Sequence, residues 1–168
     1  YRGRNEINYG LDLTKYQVSP GSYLPSGDSS LVLPKVIDKE SALDAAVYID
    51  DKFVVTDYMS VNAGVRLSSF YALGPKTQLV YDPEFTRTMA TVTDTINYSH
   101  GIYKSYAGPE FRVSLNFRTS LSSSFKLNYN KTRQYLHLLT NTTSISPSDT
   151  WKLSDYYLKP QTGDQYAL

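Results

Sequence analysis

Long runs of apolar–polar alternation constrain this chain more than any other feature. Ala45, Val47, Ile49, Asp51 and Phe53 share one parity, while Asp44, Ala46, Tyr48, Asp50 and Lys52 share the other. After a polar break at Thr56-Asp57 the pattern resumes, with Met59, Val61, Ala63, Val65 and Leu67 set against Ser60, Asn62, Gly64, Arg66 and Ser68. It returns at Phe111, Val113, Leu115 and Phe117, and again at Phe125, Leu127 and Tyr129. An earlier run sets Ile7, Tyr9, Leu11 and Leu13 against Glu6, Asn8, Gly10 and Asp12. Successive side chains on a strand point to opposite faces, so each run is a ribbon with one apolar and one polar face.

Five strands are expected, near 5–18, 42–54, 58–70, 109–119 and 124–138, with a sixth starting near Gln165. Their connections alternate in length. Tight turns join the second strand to the third and the fourth to the fifth, while 19–41, 71–108 and 139–164 are expected as long loops. Loops beyond about 12–15 residues are uncommon in compact domains, and three of them at one end of the strands ask for a single explanation. Outer-membrane barrels supply it, with short periplasmic turns and long outer loops. Roughly 9–11 residues carry a tilted strand across the hydrocarbon, and every expected strand is long enough. A one-sided sheet in a soluble sandwich also alternates, but its turns recur about every 8–12 residues.

The net charge of +1 leaves no broad basic field for nucleic acid. The absence of cysteine excludes a disulfide scaffold and thiolate metal sites. No apolar run reaches the roughly 18 residues of a membrane helix, whereas half-polar barrel strands pass such a filter unnoticed. Phe53, Phe117 and Phe125 flank the short turns on the apolar parity, and Tyr71, Phe111 and Tyr135 lie on it nearer the long connections, as two interfacial girdles would require. The charges of that parity, Asp51, Lys131 and Arg133, are expected near strand ends. On the other parity Glu6, Asp12, Asp50, Arg66, Glu110, Arg112, Arg118 and Lys126 are expected to face a lumen or a plug domain, with Arg66 or Lys126 across from Glu110 and Arg112. Single-chain barrels start at about eight strands, and the chain opens at Tyr1 without a methionine. The expected fold is therefore all-β: an antiparallel up-and-down transmembrane β-barrel in part, with residues 1–168 belonging to a single barrel domain.

Several stretches, taken in order, carry a family resemblance. They are Asp57-Tyr58-Met59-Ser60-Val61-Asn62-Ala63-Gly64-Val65-Arg66-Leu67-Ser68, Gly108-Pro109-Glu110-Phe111-Arg112, Ser124-Phe125-Lys126-Leu127-Asn128-Tyr129-Asn130, Gln134-Tyr135-Leu136-His137-Leu138-Leu139-Thr140-Asn141-Thr142, and Pro147-Ser148-Asp149-Thr150-Trp151 with Lys159-Pro160-Gln161. Together they resemble the C-terminal barrel of TonB-dependent outer-membrane receptors of the Bacteroidetes type. Gly108-Pro109-Glu110-Phe111-Arg112 departs from the Glu-Pro-Arg that related barrels tend to carry. The resemblance implies a 22-stranded barrel in the bacterial outer membrane, in contact with its lipid. It also implies a plug domain (not found in these residues) and nutrient uptake powered by the inner-membrane TonB complex. The ligand is left open among iron chelates, cobalamin, glycans and peptides.

No nucleophile motif, phosphate loop or paired catalytic carboxylate has supporting context, so no enzyme activity and no cofactor is expected. His100 and His137 lack metal-ligand spacing. Tyr98, His100, Tyr103, Tyr106, Trp151 and Tyr156 are the candidates for ligand contact, since aromatic rings in outer loops can stack on sugars or planar ligands. The alternative function is a β-rich surface or adhesin domain that binds glycan or protein through those loops. Asn97, Asn130 and Asn141 open glycosylation triplets, which carry no meaning in a bacterial barrel.

Overall fold

The computed structural model describes residues 5–27, 30–31, 33–139 and 149–168. Within them the strands are β1 (Asn5–Val18), β2 (Ser22–Tyr23), β3 (Lys35–Val36), β4 (Glu40–Thr56), β5 (Met59–Leu73), β6 (Lys76–Tyr81), β7 (Val92–Tyr98), β8 (Ile102–Arg118), β9 (Ser124–Gln134), β10 (Leu136–Leu139), β11 (Thr150–Leu153) and β12 (Gln161–Ala167). The six long ribbons form one antiparallel sheet in the order β1-β4-β5-β8-β9-β12, each beside its neighbour in the chain of ribbons. The all-β class and the up-and-down order match the alternation. The sheet is open: β1 and β12 lie at opposite edges, so these residues form no closed barrel.

Register runs straight across the sheet. One row reads Tyr9, Ile49, Val65, Phe111, Lys131 and Asp164, and the next reads Ile7, Asp51, Ala63, Val113, Tyr129 and Tyr166. Odd-numbered residues from β1 to β9 therefore share a face. Among the described residues no second layer covers it: Leu11 is 80 % exposed and Leu67 53 %.

The connections differ from the sequence expectation. Residues 71–108 are mostly strand: β5 continues to Leu73, β8 begins at Ile102, and β6 and β7 pair as a separate ribbon between them. Gly74-Pro75 reads as the opening of a loop but marks only a corner. The neck there is tight, since Gly74 N–H donates to Gly101 O at 2.8 Å and a Cβ on Gly74 would meet Tyr98 O at 3.1 Å. Pro109 sits inside β8, where a strand start was expected. Proline gives no N–H to a ladder, and the pairing with β9 stops short of it, at Phe111–Lys131. The stretch 19–41 holds the small β2–β3 bridge, and 139–164 is shortened by the β10–β11 pair and by β12, which begins at Gln161. Asn141 and Pro147-Ser148 lie outside the described residues.

β9 ends at Gln134, four residues before the expected end, and there the parity breaks. Tyr135 leaves the strand, turns to the even-numbered face and stacks on Phe70 with ring centroids 4.7 Å apart. It is buried and belongs to no outward aromatic girdle. Around this pair Ala42, Ala72 and Leu153 are buried, with Tyr16, Val18, Tyr103, Tyr106 and Leu136 packed against them. The one compact core among the described residues thus lies on the polar face, at its end away from the short turns.

Candidate functional site

Below that core the even-numbered face is polar. Register sets Arg66 opposite both Tyr48 and Glu110, with Gly64 one row lower between Asp50 and Arg112. Arg66 Nη1 donates to Asp12 Oδ2 at 2.6 Å, and its Nε lies 4.0 Å from Glu110 Oε1. Asn8 donates to Asp50 at 3.3 Å, and Lys52 lies 3.7 Å from Glu6. Two glycines shape the surface. A Cβ on Gly10 would strike the Tyr48 ring, and one on Gly64 would come within 2.8 Å of Asp50 Cβ. The space over Gly64 is an open niche of about 310 Å³, bordered by Asp12, Tyr48, Asp50, Asn62, Arg66, Glu110 and Arg112. Asn62 Oδ1 and Arg66 Nε have no hydrogen-bond partner there among the described residues. The niche can recognise a ligand or a docked segment through charge and hydrogen bonds.

Asp12, Asp50, Arg66, Glu110 and Arg112 are thus brought together, Arg66 pairing with Glu110 as the sequence suggests. Glu6 lies lower, with Lys52. Arg118 is apart, since it donates to Asp57 O at 2.9 Å and covers the Tyr58 ring, closing the β4–β5 turn. Lys126 faces Asn116 at the exposed lower end. Arg133, expected on the outward parity, folds its guanidinium against Gly108 on the inner face.

Above the niche sits a cap made from the β6–β7 ribbon, the β10–β11 pair and the turn that follows it. Glu40, at the head of β4 and only 8 % exposed, accepts from Lys76 at 3.0 Å, from Lys152 at 2.8 Å and from Leu153 N–H at 2.9 Å. Lys152 also lies 2.7 Å from Asp155, whose carboxylate accepts from the Tyr157 and Leu158 N–H groups. Tyr106 donates to Asp155 O at 2.6 Å, and Tyr157 donates to Leu79 O at 2.7 Å. Burial pushes the Glu40 and Asp155 carboxyls up, but hydrogen bonds and charge from Lys152, aided by backbone N–H donors, outweigh it and hold both below their ordinary values. Burial likewise opposes the Lys152 charge, and the two carboxylates overcome it and raise that ammonium. His137 Nε2 lies 2.9 Å from Ser154 Oγ, and burial lowers its imidazole.

The expected ligand-contact residues divide. Tyr103 and Tyr106 pack on the core, and Tyr98 leans on Tyr103 at 5.7 Å. His100, Trp151 and Tyr156 are exposed, with the Lys104 ammonium 5.1 Å from the Tyr156 ring. No metal-binding cluster of acidic, His or Cys residues occurs among the described residues. Sequence reasoning missed Glu40, Lys76, Lys152 and Asp155, which meet only through tertiary structure. It passed over one available signal: at the end of β5, Phe70 and Ala72 are apolar on the parity that is polar below, and Tyr71 and Leu73 are apolar on the other. A strand apolar on both parities is covered on both faces or capped.

No family model, curated protein or solved structure matches this chain.

Proposed function

We propose that this chain is barrel wall and outer loops of an energy-coupled, TonB-dependent nutrient receptor of the bacterial outer membrane. The observation that carries the reading is a slant. On β1 the first charge above the apolar odd positions is Lys15, whereas on β9 it is Lys131, which shares the row of Tyr9. The upper rim of the apolar band therefore drops from residue 15 to the level of residue 9, about 20 Å at ~3.4 Å per residue, over four strand spacings of about 4.8 Å. The lower rim falls in the same sense. The last apolar odd position is Ile7 on β1; Phe53 on β4 lies one row lower, and Met59, Phe117 and Phe125 share the row below that, while Asp51 sits one row inside the rim, held by Asn5 at 3.5 Å. From β1 to β9 the upper rim crosses the strands at about 45° and the lower at about 35°, close to the tilt of roughly 35–45° that barrel strands adopt in a membrane.

A water-facing sheet has no reason to keep two boundaries slanted in the same sense. Hydrocarbon imposes them, because its edges are planes and the strands cross it obliquely. The polar niche then lies toward the lumen, where a plug domain or a passing ligand would meet Arg66, Glu110 and Arg112. Nitroxide labels on the full-length protein in lipid vesicles test this. Probes at Val47, Val61 and Leu115 should collide with dissolved oxygen and be shielded from a water-soluble nickel chelate, and probes at Asn62 and Ser114 should not be shielded. Equal chelate access on the two parities would refute it.

A further inference from the structure

One row of the inner face holds two charges of opposite sign on either side of a glycine. It reads Asn8, Asp50, Gly64, Arg112 and Asn130. Asp50 stands directly against the gap, since its Cβ lies 2.8 Å from where a Cβ on Gly64 would be. Tyr48, one row higher, turns its ring toward Gly10 on β1 and away from Gly64. The two charges do not meet. Two strand spacings, about 10 Å, separate the Asp50 and Arg112 backbones. Among the described residues the Arg112 guanidinium has no hydrogen bond or ion pair, and Asp50 has one hydrogen bond, from Asn8 to its Oδ1 at 3.3 Å. The neighbouring charges are engaged with one another, Arg66 with Asp12 at 2.6 Å and with Glu110 at 4.0 Å.

We infer that this row binds a zwitterion, an α-amino acid or a dipeptide, with its carboxylate on Arg112 and its ammonium on Asp50. A guanidinium fork donates two parallel N–H bonds to a carboxylate, and the free oxygen of Asp50 accepts from an ammonium. A ligand charged at one end only is disfavoured. A lone carboxylate would face the Asp50 charge and a lone amine the Arg112 charge, and such like-charge meetings reject the wrong partner. The inner-face charges that border the niche are Asp12, Asp50 and Glu110 against Arg66 and Arg112, a negative excess that repels a polyanionic chelate. The niche of about 310 Å³ lies at the lower end of the roughly 300–1,000 Å³ that ligand pockets occupy, which suits a dipeptide and not a cobalamin. The inference names a ligand class for the receptor proposed above and rests on the lumenal placement of the niche in that reading.

Titration calorimetry of the full-length protein in detergent tests it, with alanylalanine and its N-acetylated and C-amidated forms as probes. Alanylalanine should bind saturably with a Kd below about 1 mM, and each blocked form about tenfold or more weaker. Arg112→Gln should erase the preference over the amide and keep that over the acetyl form. Asp50→Asn should do the reverse. A misfolded variant would lose both preferences together, and the other variant then decides. No saturable binding to the parent, equal affinity for the blocked forms, or preferences that survive both replacements overturn the inference. The nitroxide labels report the odd-numbered face and this titration the even-numbered one. Shielded labels with no dipeptide bound would therefore refute the ligand class alone, whereas equal chelate access with dipeptide bound would keep the site and remove the membrane around it.

Discussion

Ala63→Arg separates a lipid-facing sheet from a water-facing one. Ala63 lies in the middle of the apolar run of β5, four residues from Met59 and four from Leu67, and its side chain is exposed. That run covers about 27 Å along the strand at ~3.4 Å per residue, which at a tilt near 45° is roughly 20 Å along the membrane normal. Ala63 then sits about 10 Å from either rim, near the depth where a charge costs most. Arginine on the lipid face of a barrel costs about 2–4 kcal/mol at the midplane and about 0–1 kcal/mol near an interface. On a water-facing sheet an exposed substitution stays within about 0.5 kcal/mol. Ser69→Arg, three rows higher on the same face near the upper rim, is the control. Reversible denaturation of the full-length protein in lipid vesicles should give Ala63→Arg a folded-to-unfolded ratio some 30- to 1000-fold lower than the parent, and Ser69→Arg less than tenfold lower. Equal and small effects at the two positions would refute the membrane reading, as would a larger loss at Ser69.

Gly108→Val should undo the cap locally, because its Cβ would run into the Arg133 guanidinium on the face that Tyr135 crosses to reach Ser68 at 2.9 Å. The guanidinium is the far end of a flexible side chain and can give way, so a cost near the low end of overpacking, about 1 kcal/mol, should appear as faster exchange around Phe70 and Tyr135, with the lower sheet unaffected; unchanged exchange there would mean the crossing is not tight. Cap protection should also depend on pH in two steps. His137 is held below its ordinary 6.5, so its contribution is complete above that value and is lost as pH falls through the lowered one. Glu40 and Asp155 are held below 4.5 and 3.8, so their share is lost only in more acid solution, and that of Lys152, raised above 10.5, only as pH rises through the raised value. Exchange at residues 150–158, corrected for its intrinsic pH dependence, should report a plateau from about pH 6.5 to 10. His137→Gln should abolish the first acid step and keep the second; retention of both would show that another group titrates there.

Much of the sheet was legible because period-two alternation is a local property. Each strand's parity follows from its own residues, and antiparallel neighbours inherit their register from tight turns such as the one at Asp57-Tyr58. The pairing of Arg66 with Glu110 was within reach for the same reason. The connections were not legible in this way, since Pro and Gly signal a change of direction without saying whether a strand resumes beyond it. Gly74-Pro75 looked like the start of a loop and proved to be a corner.

What the sequence by itself determined is the two-faced ribbon: which side chains are apolar together, which are charged together, and that the class is all-β. Only the tertiary structure decided what lies against the charged face. Tyr135 reverses its parity where β9 stops, crosses Gly108 and meets Phe70. Glu40 gathers Lys76 and Lys152 from residues far along the chain. Such meetings depend on the summed path of the intervening ribbons, and no window of sequence contains it.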